Sequence, residues 1–181
     1  MTQSEREKVK SEAAALIKKS GIYLNRQEEE NLEITDFGLG DFYSQGLVLH
    51  TYVNTERACA KELAMFPGQT CVEHRHPPLG AGNPGKEETF RCRYGEMYLY
   101  VAGEATAGIK AKLPETKNGY TAFCEVVLRQ GDQYTLAPDT LHWFQAGPQG
   151  AVVSEFSSHS DDGSDIFTDP AVVRSGSPTA G

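Results

Sequence analysis

At 181 residues the chain has the length of one domain, and its 39% hydrophobic and 23% charged residues are ordinary for a globular protein. A formal charge of -8 argues against a nucleic-acid backbone or an anionic membrane surface as main partner, because both reward clustered Lys and Arg. No apolar run approaches the roughly 18–20 residues of a membrane span, and the opening MTQSEREKVKSEAAALIKKSG is too charged for a secretory signal.

Residues 4–20 read as one helix: Val9, Ala13, Leu16 and Ile17 recur at helical spacing, Ser4 is placed to cap the start, and Gly21 stands where a C-terminal cap belongs. A further short helical turn is expected over 27–31. Beyond it the pattern changes to short β-rich runs at 46–53, 58–66, 96–101, 120–128, 133–136 and 151–156, separated by PGQT, LGAGNPG, KNG, RQGD and GPQG. Many short strands with turn punctuation predict an all-β sandwich or barrel carrying an N-terminal helix. The expected organisation is a helical segment over 1–35 packed on the barrel, the barrel itself over 36–169, and a loosely held tail over 170–181. The Pro- and Gly-rich loop over 77–85 is long for a barrel turn, and such loops are often functional. Cys59, Cys71, Cys92 and Cys124 form no CxxC pair and read as free thiols, which places the protein in the cytoplasm.

The chemistry concentrates between Gly68 and Glu104. In VEHRH, His74 and His76 are two apart, so on a strand they face the same side. Two imidazoles, a third at His142 in LHWF, and a carboxylate make a donor set for a borderline divalent ion. Three glutamates compete for the acidic place. Glu87 and Glu88 are neighbours on extended chain, so only one faces inward; Glu88 shares its parity with Phe90 and Cys92. Glu96 is the rival, standing as far from Gly103 as Glu88 stands from Gly95. His50 and His159 have no spacing partner and read as ordinary residues.

Gly68, His74, His76, Glu88 and Gly95 resemble the first cupin motif, with a longer gap than usual between His76 and Glu88. Gly131, Pro138 and His142 resemble the second, with Thr140 where a Gly is usual and the His one residue early. HRHPP, GKEETFRCRYG, YLYVAGE, HWFQAG, VVSEFSS and DIFTDP together resemble the D-lyxose ketol-isomerases, a cupin-type sugar isomerase family, from Gly38 through Pro170. The resemblance implies a single jelly-roll-like cupin barrel and a metal ion, usually manganese, held by His74, His76, Glu88 and His142. Zinc, cobalt and ferrous iron accept the same donors. It further implies an enzyme that interconverts D-lyxose with D-xylulose, and D-mannose with D-fructose, through a cis-enediol, as a homodimer, the common cupin arrangement.

Such a reaction needs a base beside the C1–C2 edge of the sugar. Glu155 in VVSEF is the expected base: it stands among apolar residues, where a carboxylate is costly unless paired or used. The resemblance points to the same residue. Lys86 is a candidate for catalysis and for binding a sugar oxygen, Asp165 for binding hydroxyls, and Trp143 for walling the pocket. Two other classes stay open on this reading. One is a different metal-dependent cupin enzyme, an iron oxygenase or one of phosphoglucose-isomerase type; the other is a non-catalytic metal-binding cupin.

Overall fold

A computed structural model describes residues 1–115 and 119–174. Helix α1 spans Gln3–Lys19 and is capped two residues before the expected Ser4. Thr2 caps it, because Thr2 and Glu5 form a reciprocal capping box in which Glu5 N donates to Thr2 Oγ1 and Thr2 N to Glu5 Oε2. Gly21, at φ +83, follows the helix where a left-handed residue is wanted. Helix α2 (Arg26–Glu30) repeats the capping device with Asn25 and Glu28.

The described residues beyond α2 build an antiparallel sheet of nine strands: β1 (Glu33–Thr35), β2 (Leu47–Asn54), β3 (Cys59–Met65), β4 (Thr70–Arg75), β5 (Glu88–Val101), β6 (Cys124–Arg129), β7 (Gln133–Leu136), β8 (His142–Ser157) and β9 (Ile166–Phe167). Strand β8 is the hub. It pairs with β5 along one side, and with β4 and then β3 along the other. The sheet curls into a cupin-like half-barrel, and its concave face holds a core that includes Leu49, Leu63, Phe90, Leu99, Phe144 and Val153.

Helix α1 covers part of the opposite face. Val9, Ala13, Leu16 and Ile17 pack there on Val48, Ala64 and Val152. Burying each of the larger ones contributes on the order of 2 kcal/mol. No helix among the described residues is long and apolar enough to cross a membrane.

Strands β5 and β8 are longer than their β-rich runs. The register between them slips between Gly95 and Met97, where β8 advances from Ala151 to Ala146, and GPQG is absorbed into that irregularity instead of ending the strand. Gly95 is required at this point. It sits at φ +69, and a Cβ there would come within 2.0 Å of Gly150 O. The run expected from 120 becomes strand only at Cys124. Before it, Thr121 and Ala122 give their amides to the buried carboxylate of Glu73, so a side chain takes the donors a ladder would have taken. Of the tail expected over 170–181, residues 170–174 are docked: Val173 N donates to Phe37 O at 2.8 Å. Residues 175–181 lie outside the described residues.

Candidate metal centre

Sheet pairing brings the three histidines together. His74 on β4 is the direct cross-strand partner of His142 on β8, and their ring centroids are 4.3 Å apart. His76 follows the end of β4 and keeps the parity of His74, with 4.9 Å between the two rings. One ring nitrogen from each of the three lies within 4.8 Å of the others, and all three side chains are buried.

Their other nitrogens are anchored. His74 Nδ1 is 2.8 Å from Val72 O and His142 Nδ1 is 2.9 Å from Thr140 O, so each Nδ1–H donates to a carbonyl and leaves its Nε2 a free lone pair. His76 Nδ1 instead meets Asp165 Oδ1 at 2.5 Å.

Glu88 opens β5 and reaches the same centre. Its Oε1 is 3.1 Å from both His76 Nε2 and His142 Nε2. Glu87 is exposed, as parity requires of its neighbour. Glu96 lies outside the cluster, taking the Tyr98 hydroxyl and the Arg129 guanidinium.

Lys86 joins this carboxylate to the next. Its Nζ is 2.9 Å from Glu88 Oε2 and 2.5 Å from Glu155 Oε1. Glu155, only 5% exposed, projects from β8 toward the same cavity.

The electrostatics follow from burial and these pairings. Burial, with His142 and His76 beside it, pushes His74 well below the ordinary imidazole value, so its ring is neutral. Burial works against a charge on His76, but Glu88 and Asp165 outweigh it and raise its pKa to about 9. Burial likewise opposes ionisation of Glu88, yet Lys86 and His76 overcome it and hold the carboxyl well below the usual carboxylate range. For Lys86 the two glutamates outweigh burial and raise its pKa.

The residues present fit a divalent ion. His142 Nε2 is buried and makes no hydrogen bond although Glu88 Oε1 is close by. A neutral buried imidazole, an unsatisfied ring nitrogen and an ionised carboxylate converging on one point are the donors such an ion takes.

Two residues expected to bind substrate do not line the cavity. Trp143 neighbours His142 on β8 and therefore faces the opposite side of the sheet, where it stacks on Tyr100 at 4.0 Å and donates to Ala122 O. It walls no part of the cavity. Asp165 binds His76 and not open space. Sequence reasoning missed Lys61, Asp162 and Arg174, which also line the cavity. Lys61 is the cross-strand partner of Glu155, and its Nζ bonds Asp162 at 2.9 Å. Only the inward parity of Cys59, Lys61 and Leu63 on one strand would have hinted at it. A wider cleft between α1 and α2, lined by exposed charges such as Arg6, Glu7 and Glu30, contains none of these groups.

No family model matches the chain. It is 55% identical over 175 residues to the D-lyxose/D-mannose isomerase of Thermosediminibacter oceani, covering 96% of each chain. It is 57% identical over 166 residues to the D-lyxose ketol-isomerase of a Thermofilum species, covering 91% of this chain and 92% of that one. The crystal structure of Acinetobacter sp. DL28 L-ribose isomerase in complex with L-ribose superposes with a TM-score of 0.74 at 18% identity, over 95% of this chain and 94% of that one, a likeness of fold. A buried three-histidine cluster on a cupin half-barrel, at this level of identity over nearly the whole chain, makes the protein a member of the D-lyxose ketol-isomerase family.

Proposed function

We propose that this chain interconverts D-lyxose and D-xylulose, and D-mannose and D-fructose, through a cis-enediol. The observation that carries the reading is the continuous link His142–Glu88–Lys86–Glu155, which sets a proton-accepting carboxylate one residue away from the metal ligands. His74, His76, Glu88 and His142 would hold the ion. Manganese is the ion we infer; zinc, cobalt and ferrous iron suit the same donors. When bound, it supplies Lewis acidity that polarises adjacent sugar oxygens.

The chain's own residues divide the remaining work. The Glu155 carboxylate accepts the proton from C2 of the aldose and returns it to C1, giving the ketose. Lys86 holds Glu155 in place by a short ion pair, gives a proton to O1 of the enediolate and takes one back from O2 as the ketose carbonyl forms, so it ends the cycle protonated. Its charge also keeps Glu88 ionised, as a ligand must be. The apolar floor of Leu49, Leu63, Phe90 and Phe144 keeps water away from these charges and strengthens their interactions.

Tyr52, Val53 and Phe156 are each more than two-fifths exposed on the sheet, which supports a homodimer. Four free cysteines support a cytoplasmic setting. The test is a panel of aldoses assayed for ketose with metal-stripped enzyme, before and after manganese is restored, under nitrogen. Ketose formation that returns with manganese and ignores oxygen supports isomerisation. Oxygen uptake with iron and no ketose would overturn it.

A further inference from the structure

The three histidines are not held in the same way. His74 and His142 each give Nδ1–H to a backbone carbonyl two residues back, so their rings are fixed by the strands that carry them. His76 lies beyond the end of β4, next to the 77–85 loop, and its Nδ1 is held by a side chain, Asp165. That carboxylate is buried at the start of β9. Its Oδ1 takes the His76 contact, while Oδ2 has no hydrogen-bond partner and faces Arg174 Nη1 at 3.7 Å.

Arg174 is itself fixed. Its Nη2 bonds Asp162 Oδ2 at 2.6 Å and lies 3.7 Å from Glu33 Oε1, so β1 and the turn after β8 together hold one nitrogen of the guanidinium. Asp162 is in turn bonded by Lys61 Nζ and the Ser160 hydroxyl. The backbone beside Arg174 is pinned by the Val173 amide on Phe37 O, and Val172 packs against the inner core. A planar fork engaged on one side by Asp162 presents its other nitrogen to Asp165 in a set direction.

We propose that Arg174 is a positioning residue for the metal centre, acting through Asp165 to fix the ring of His76; the proposal rests on the ion-binding reading of the three histidines. Without the guanidinium Asp162 keeps its Lys61 partner, but the Asp165 carboxylate loses the cation that faces its Oδ2. Asp165 is then free to turn, and His76 loses the contact that holds its Nδ1, leaving Glu88 on Nε2 as its remaining partner. The 170–174 segment is thereby part of the site.

The test is a manganese titration of metal-stripped protein, read by the electron paramagnetic resonance of free manganese, on wild type, R174A, D165N and the double variant. Groups that orient a metal-binding histidine are typically worth about 10–100-fold in affinity. R174A and D165N are each expected to weaken binding within that range, and the double variant no further than the weaker single one, since both act along one route. R174A binding within twofold of wild type, or losses that multiply in the double variant, would overturn the proposal. If R174A does not fold, R174K carries the test, because it keeps the charge but lacks the two-sided fork; a roughly tenfold loss is expected and unchanged affinity counts against the proposal. H76A tests the ion reading itself and loses tight binding whatever the outcome for Arg174.

Discussion

Lys86 and Glu155 form a buried ion pair with Nζ and Oε1 2.5 Å apart, and the same Nζ lies 2.9 Å from Glu88. One ammonium thus serves a metal-ligand candidate and the proposed base. Removing one partner of a buried pair leaves the other uncompensated, which costs about 3–5 kcal/mol. K86M is therefore expected to lower kcat on the order of 100-fold and to depress thermal stability as well. Initial rates at saturating manganese, with metal content measured on the same sample, check this.

Glu155→Gln keeps shape and burial but removes the proton acceptor. The expected loss in kcat is about 100- to 10,000-fold, the usual contribution of a general base. Manganese content should stay at the wild-type level, because Glu155 reaches the ligand set only through Lys86. Ketose formation near the wild-type rate would remove Glu155 from the mechanism.

Glu88→Gln addresses the ligand set. Loss of this carboxylate should weaken manganese binding by at least about 100-fold, the upper end for groups one contact further out. The wild-type melting temperature should rise with manganese, since an ion at about 100 times its Kd stabilises by roughly 2.7 kcal/mol. Scanning calorimetry with and without manganese should show that rise shrink in E88Q.

Asp162 predicts a pH dependence of stability. Burial opposes its ionisation, but Arg174 and Lys61 outweigh burial and lower its pKa. A depressed carboxylate stabilises the fold above its unfolded value of about 4, and that stability is lost as pH falls toward the folded value. D162N should unfold at a lower urea concentration than wild type from pH 8 down to about 5. The gap should narrow below pH 4, and a gap that widens there would contradict the assignment.

Trp143→Phe separates core from site. The variant forfeits the indole hydrogen bond to Ala122 O and some packing on Tyr100, an expected cost of about 1–3 kcal/mol. Because the side chain points away from the cavity, KM should stay within about twofold. Urea denaturation and steady-state kinetics on one preparation measure both.

Much of this molecule can be read along the chain, because helix caps, strand alternation and the two-residue spacing of His74 and His76 are local patterns. Parity alone favours Glu88 over Glu87, since neighbours on a strand must face opposite ways. The same rule, applied to His142, would have sent Trp143 to the far face. Other features depend on which strands meet. His74 finds His142 only through the β4–β8 register, and Lys61 faces Glu155 only through β3–β8. Asp165, expected to bind hydroxyls, meets His76 instead because the chain after β8 returns along β4, and nothing in AVVR points to Arg174. The sequence by itself determined the type of each donor and the face on which it stands. Only the tertiary structure decided which donors share a centre and what orients them, because that is set by pairing between segments far apart in the chain.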